Sequence, residues 1–195
     1  MKATCYLSLS MLILLISCRA SAQNNESPEQ SLKIGLGIGI TSSDDMDGIG
    51  IAHSLGYQRE IWNGRGRLVP YFSIGHYSSK MIMDARDQYF SSIHLGTSLF
   101  VDLVRVKSIS IVAGAGALVN HSKGLKGGGG DTDGQIRLPE SEYVSDLCFG
   151  GYLGAGIRIN PRNKRTAINI LPFNIVAGTK YLAAFHGMLE LDIKI

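Results

Sequence analysis

The sequence predicts an all-β fold, an eight-stranded antiparallel up-and-down transmembrane β-barrel over residues 31–195. Three observations carry that prediction. Strict alternation of apolar with small or polar side chains recurs along the chain; an export-type N-terminus precedes it; and short and long connections separate the repeats. The clearest alternation spans residues 31–41, where Leu32, Ile34, Leu36, Ile38 and Ile40 alternate with Ser31, Lys33, Gly35, Gly37 and Gly39. Successive side chains of a strand point to opposite faces, so this segment has one apolar wall and one nearly bare wall. Such a strand belongs between two different surroundings.

Residues 1–22 read as an export signal. Lys2 stands near the start, Met11 to Ile16 form an apolar core, and Ala20-Ser21-Ala22 supplies the small-x-small cleavage pattern before Gln23. The apolar core is shorter than the roughly 20 residues of a membrane-spanning helix. Leu15-Ile16-Ser17-Cys18 also resembles a lipobox, which leaves two fates for Cys18, lipidation or removal with the signal. Cleavage after Ala22 discards Cys5 and Cys18 and leaves Cys148 alone, so the exported chain holds no internal disulfide. Residues 23–30 form a short segment ahead of the barrel.

The second strand, residues 49–60, sets Ile51, Leu55 and Tyr57 against Ala52, Ser54, Gly56 and Gln58; the third, 68–76, sets Leu68, Phe72 and Ile74 against Tyr71, Ser73 and Gly75. Pro70 weakens the start of the third. The fourth, 89–103, carries Ile93, Leu95, Leu99 and Val101 opposite Ser92, His94, Gly96, Ser98 and Asp102. In the fifth, 108–120, Ile109, Ile111, Ala113, Ala115, Ala117 and Val119 oppose Ser110, Gly114, Gly116 and Asn120. Leu147, Phe149, Leu153, Ala155 and Ile157 oppose Asp146, Cys148, Gly150, Tyr152, Gly154, Gly156 and Arg158 in the sixth, 143–159. The seventh, 166–177, changes phase, with Ile168 and Ile170 on one face and Leu171, Phe173 and Ile175 on the other, which predicts a bulge near Pro172. The eighth, 181–195, places Phe185, Leu189, Leu191, Ile193 and Ile195 against His186, Glu190, Asp192 and Lys194.

Residues 62–67, 104–107 and 160–164 read as short turns, and 42–48, 77–88 and 121–142 as longer connections; 178–180 is short. Short turns at one end and long loops at the other describe a meander with its turns in the periplasm. Without residues 1–22 the chain keeps 17 of its 19 basic residues against 16 acidic ones, which gives no electrostatic case for a nucleic-acid partner. Many of the 24 glycines lie inside the alternating segments, where they suggest crowding on one side.

This pattern resembles the small eight-stranded outer-membrane β-barrel proteins, the superfamily that includes the membrane domain of outer-membrane protein A. The similarity runs from Gln23 to Ile195 and ends on Leu189-Glu190-Leu191-Asp192-Ile193-Lys194-Ile195, which is similar to the terminal signal read by the barrel-assembly machinery but closes on Ile195 and not on an aromatic residue. The resemblance implies location in the bacterial outer membrane, contact with its lipids, and the assembly machinery as a partner during biogenesis.

Bilayer physics points the same way. A sheet in lipid leaves no unpaired edge, and about 9 to 11 residues suffice for a tilted strand to cross. Eight strands leave an interior that side chains fill, so the inner wall of small and polar residues is expected to pack and not to form a general pore. Strand direction brings Lys33, Glu60, Asp102, Arg158, Asp192 and Lys194 to the periplasmic end, with Lys33 and Asp192 on strands that closure makes neighbours. A buried ionic network there is the expectation, because charges in such a place persist only when paired.

No catalytic, cofactor or metal residues are assigned. His53, His76, His94, His121 and His186 are scattered without metal-binding spacing, and His94 and His186 read as interior hydrogen-bonding residues. Residues 127–134, with Asp131 and Asp133 among glycines, read as a solvated surface loop lacking the oxygen ligands of a calcium site. Tyr57, Trp62, Tyr89, Tyr143 and Tyr181 are expected at the membrane interfaces. Three functions follow: a structural or surface-interaction protein whose long loops meet an unknown extracellular partner; a lipid hydrolase or acyltransferase using His121 beside Ser122; and a soluble exported barrel with an apolar ligand inside.

Overall fold

The computed structural model describes residues 29–43, 46–79, 89–126, 142–161, 165–180 and 182–195. The export signal, the glycine-rich 127–134 and Tyr181 lie outside the described residues. Eight strands follow in chain order: β1 (Gln30–Ser43), β2 (Met46–Ile61), β3 (Gly66–Ser78), β4 (Tyr89–Val106), β5 (Ile109–Lys126), β6 (Glu142–Ile159), β7 (Thr166–Gly178) and β8 (Ala183–Lys194). Each pairs antiparallel with the next, and β8 pairs with β1, closing the barrel without an edge through the apolar band.

Strand stagger sets the tilt. A row of paired residues runs from Leu36 through His53, Ile74, Ile93 and His121 to Leu147. Followed the other way, through Leu189 and Ile170, the same row reaches Ile157, ten residues further along β6. A closed sheet with such a stagger has strongly tilted strands.

The alternation fixes the facing of every strand. Leu36, Ile38, Leu55, Leu95, Ile111, Leu153, Ile175 and Leu189 all stand exposed on the outside, while Lys33, Ser73, Ser98, Asn120, Arg158 and Asp192 are buried within. An apolar outer band with a polar inside is the reverse of a soluble ligand-binding barrel, and that alternative falls on this observation. In β7 the register shifts between Leu171 and Asn174, so Pro172 and Phe173 both face out. Leu171 consequently turns inward, 1% exposed, while Ile168, Ile170, Phe173 and Ile175 share the outer face. The expected bulge is present, with Leu171 on the opposite face from the one its spacing to Phe173 suggests.

Several boundaries differ from the sequence expectation. The connection expected over 42–48 contracts, because β1 and β2 stay paired up to Ser43 and Met46. The turn expected over 62–67 ends at Arg65, so Gly66 and Arg67 join β3. Left-handed residues Trp62, Asn63 and Gly64, at φ 51, 53 and 75°, make the reversal that tight. β5 runs past Asn120 to Lys126, and β8 begins at Ala183, two residues later than expected.

Inward glycines answer to crowding. A Cβ on Gly50 would lie 1.8 Å from the His76 carbonyl oxygen, whereas one on outward Gly151 meets only the Gly116 carbonyl, at 3.8 Å. Gly50→Ala is therefore expected to cost about 1–3 kcal/mol of unfolding free energy through overpacking, and Gly151→Ala close to nothing. Urea unfolding in lipid vesicles checks the pair; equal midpoints would refute the crowding account.

Candidate functional site

Two regions depart from plain barrel packing: the charged interior near the turns, and a sheet that rises beyond the apolar band at the loop end.

The interior is layered. At the turn end Lys33 Nζ pairs with Glu190 Oε2 at 2.8 Å and lies 3.7 Å from Asp192 Oδ1. Arg158 reaches Asp192 Oδ2 at 3.4 Å and Glu60 at 4.0 Å, and Asn169 Nδ2 donates to Asp192 Oδ1 at 2.9 Å. Arg67 donates to Asp102 Oδ1 at 2.5 Å, and Arg105 takes Asp102 Oδ2 at 2.6 Å. Arg158 ties β6 across the lumen to β2 and β8, the other pairs join neighbouring strands or lie within β4, and each charge removed from water keeps a counter-charge.

The expected network is thus present, with two corrections. Lys194 leaves it, pairing with Glu29 at the rim at 2.5 Å. Arg67, Glu190 and Arg105 join it. Arg67 escaped the sequence reading because the glycines around it mark a turn, although its even spacing from Val69, Tyr71 and Ser73 places it on the inner face.

Above the ions lies an apolar layer of Val69, Phe100, Val112 and Leu171, with Tyr71, Tyr152 and Met188 packed against it. Here the interior is more apolar than the expected wall of small and polar side chains, since residues such as Phe100 and Leu171 fill space that inward glycines leave. Lys33 Nζ sits 5.1 Å from the Phe100 ring centroid, joining the two layers. Next comes a polar layer, in which Tyr77 Oη meets His186 Nε2 at 2.8 Å and Ser92 Oγ meets His94 Nε2 at 2.9 Å. Ser92 Oγ donates to Asn120 Oδ1, and Asn120 Nδ2 donates to Ser122 Oγ at 2.8 Å. His94 and His186 are the interior hydrogen-bonding residues expected of them. A cavity of about 50 Å³ remains between the ionic and histidine layers.

His121 and Ser122 do not form a catalytic pair. They are consecutive on β5, so His121 faces outward, while Ser122, 1% exposed, points into the lumen beside Asn120. A histidine base and a serine nucleophile need one face. His53 and His76 also face outward, and His76 Nδ1 contacts Ser91 Oγ at 2.9 Å.

At the loop end the strands are unequal in height. β4, β5 and β6 each have 18 residues, against 13 in β7 and 12 in β8. β7 pairs with β6 only up to Gly150 opposite Gly178, so β6 from Glu142 to Phe149 continues past its neighbour. Thr179 caps the step, its N–H donating to the Phe149 carbonyl at 2.9 Å and its hydroxyl accepting from the Phe149 N–H at 3.0 Å. Lys180 pairs with Asp146 just above.

The raised sheet has a distinct outer face. Beyond the apolar band comes a polar row, His76, Ser91, Lys123 and Ser145, in register across β3 to β6. Above it stand Tyr89, Leu125 and Tyr143, also in register and all exposed, with Lys123 Nζ 5.9 Å from the Tyr143 ring centroid. Leu125 lies four residues beyond His121, whose register partners Ile93 and Leu147 are the uppermost exposed apolar side chains of the band, and so stands roughly 10 Å above them at the usual rise and tilt. Of the aromatics expected at the membrane interfaces, Tyr57 and Trp62 are exposed toward the turn end, and Tyr89 and Tyr143 are exposed beyond the polar row at the loop end.

No protein-family model matches the chain, and no curated protein does. Solved structures do match in fold. Neisserial surface protein A, from Neisseria, superposes with a TM-score of 0.60 at 11% identity, over 85% of this chain and 97% of that one. Ail, the attachment invasion locus protein of Yersinia pestis, gives 0.56 at 16% identity, over 87% and 100%. Ail in complex with the heparin analogue sucrose octasulfate gives 0.55 at 14% identity. The chain therefore has the fold of the small eight-stranded outer-membrane β-barrels, and its strands are transmembrane strands.

Proposed function

We propose that this barrel resides in the bacterial outer membrane, with its turns in the periplasm, and acts through contact at the cell surface. The unequal height of the strands carries the reading: β4 to β6 rise as a wall whose exposed Tyr89, Leu125 and Tyr143 face away from the interior, above the apolar band. Aromatic side chains offer large contact areas for little lost side-chain entropy, which suits a binding face. The likeness to Neisserial surface protein A and to Ail, an attachment invasion locus protein, supports a surface role, and the layered interior supports a rigid mount with no general pore.

Cysteine labelling tests location and direction. Ser145→Cys on intact cells is expected to react with a membrane-impermeant maleimide, whereas Arg65→Cys at the turn end reacts only after the outer membrane is permeabilised; Cys148 is fully buried. The converse labelling would invert the barrel and sink the proposal. Contact is tested by adhesion of cells carrying Tyr89→Ser, Leu125→Ser and Tyr143→Ser together. Loss of adhesion from a folded variant is expected, and adhesion unchanged from the parent overturns the wall as the contact face.

A further inference from the structure

The net charge of the whole chain conceals a polarity. Among the described residues, the turn end carries nine bases (Lys33, Arg59, Arg65, Arg67, Arg105, Lys107, Arg158, Arg165 and Lys194) against five acids (Glu29, Glu60, Asp102, Glu190 and Asp192). Every one of those acids is engaged by a base: Glu29 by Lys194, Glu60 by Arg158, Asp102 by Arg67 and Arg105, Glu190 by Lys33, and Asp192 by Lys33 and Arg158. The described loop end is balanced, with Asp47, Glu142 and Asp146 against Lys123, Lys126 and Lys180. Among the described residues, the excess positive charge therefore lies at the turn end.

Part of that excess lines a cleft of about 290 Å³ formed by Asn63, Arg65, Asp102, Leu103 and Arg105. Backbone bonding builds it, since the Asp102 N–H donates to the Arg65 carbonyl at 2.8 Å and ties the β2–β3 turn to β4. Arg105 Nη2 is held by the Gly64 carbonyl at 2.7 Å and by Asp102. The one carboxylate in the cleft faces two guanidiniums, Arg67 and Arg105, so its charge is more than offset. Arg65 is exposed and, like Lys107 on the adjoining turn, has no acidic partner among the described residues.

Beside the cleft the β4 register shifts between Asp102 and Val104. Leu103 and Val104 are both exposed as a result, at the lower edge of the apolar band, with Val106 and Trp62 alongside. Basic and amide donors next to outward apolar side chains match a molecule with an anionic head and a hydrocarbon tail.

We infer that this cleft binds the phosphate headgroup of an anionic phospholipid in the periplasmic leaflet, with Arg65, Arg105 and Asn63 on the phosphate and Leu103, Val104 and Val106 along the acyl chain. The inference rests on the outer-membrane reading above. Cationic groups near a membrane surface each favour anionic lipid by about 1 kcal/mol, roughly a factor of five.

Trp62, the single tryptophan, lies in the turn that bounds the cleft and reports on it. The full chain is refolded into phosphatidylcholine vesicles carrying a minor fraction of lipid brominated in its acyl chains, either phosphatidylglycerol or phosphatidylcholine, equal in both leaflets so that barrel direction is immaterial. Brominated phosphatidylglycerol is expected to quench Trp62 more strongly at equal mole fraction. Its apparent affinity is expected to fall about fivefold in Arg65→Gln and further in Arg65→Gln with Arg105→Gln. Lys123→Gln with Lys126→Gln, at the loop end, is expected to keep it.

Equal quenching by the two lipids in an inserted parent barrel overturns the inference and leaves the barrel reading intact. Full preference in Arg65→Gln, which removes no ion pair among the described residues, overturns the assignment to this cleft. Inorganic phosphate that abolishes the preference would make the site one for free phosphate and overturn the lipid assignment. A chain that inserts into neither vesicle overturns the membrane reading and the inference with it.

Discussion

Asp192→Ala is expected to lower the unfolding free energy in lipid vesicles by about 3–5 kcal/mol. The Asp192 carboxylate is fully buried, 3.7 Å from Lys33 Nζ, 3.4 Å from Arg158 and 2.9 Å from Asn169 Nδ2. Its removal leaves two cations sharing one interior, with only Glu190 and Glu60 as counter-charges, and a buried amide donor without its acceptor. Desolvation of the cations remains while the attraction that offset it is gone, which is why breaking a buried pair costs far more than the pair contributes. Lys194→Ala provides the internal comparison: its pair with Glu29 lies at the rim, where water solvates the partner left behind, and its expected cost is at most about 1 kcal/mol. Guanidinium unfolding of both variants decides the matter, since equal midpoints would mean that the network is not what braces the turn end.

The second large effect tests which side of the wall is lipid. Leu153 and Tyr143 are both outward on β6 and similarly exposed, at 61% and 57%. Surface area alone therefore predicts the same response to a charge. Depth separates them: Leu153 lies between Phe149 and Ile157 in the apolar band, and Tyr143 stands in the wall above the polar row. Leu153→Arg is expected to cost about 2–4 kcal/mol, and Tyr143→Arg about 0–1 kcal/mol. In a water-soluble barrel both changes would fall within about 0.5 kcal/mol of the parent. Unfolding in vesicles, followed by the gel-mobility shift between folded and unfolded barrel, reads the difference.

Both predictions depend on residues that the sequence exposed to different degrees. Asp192 was legible, because the period of two in the eighth strand puts it inside and barrel closure puts it next to Lys33. Arg158 was placed inside by the same rule. Arg67 was not, since the glycines at 64 and 66 made its segment read as a turn, and only the tight reversal over Trp62 to Arg65 returns it to the sheet. The His121-Ser122 pair misled for the opposite reason: adjacency in sequence suggests cooperation, but in an extended strand it guarantees opposite faces.

By itself the sequence determined the facing of nearly every residue, the number and direction of the strands, and hence an apolar belt around a filled interior. Facing is local, set by the pleat of each strand, so periodicity reports it directly. The tertiary structure alone decided the stagger of ten residues, the partners within the ionic layer, the inward turn of Leu171 at its bulge and the height of β4 to β6 above their neighbours. These depend on register between strands, which period-two alternation leaves free by any even number of residues. The wall and the basic cleft both arise at that level, from where each strand stops and which loop packs beside it.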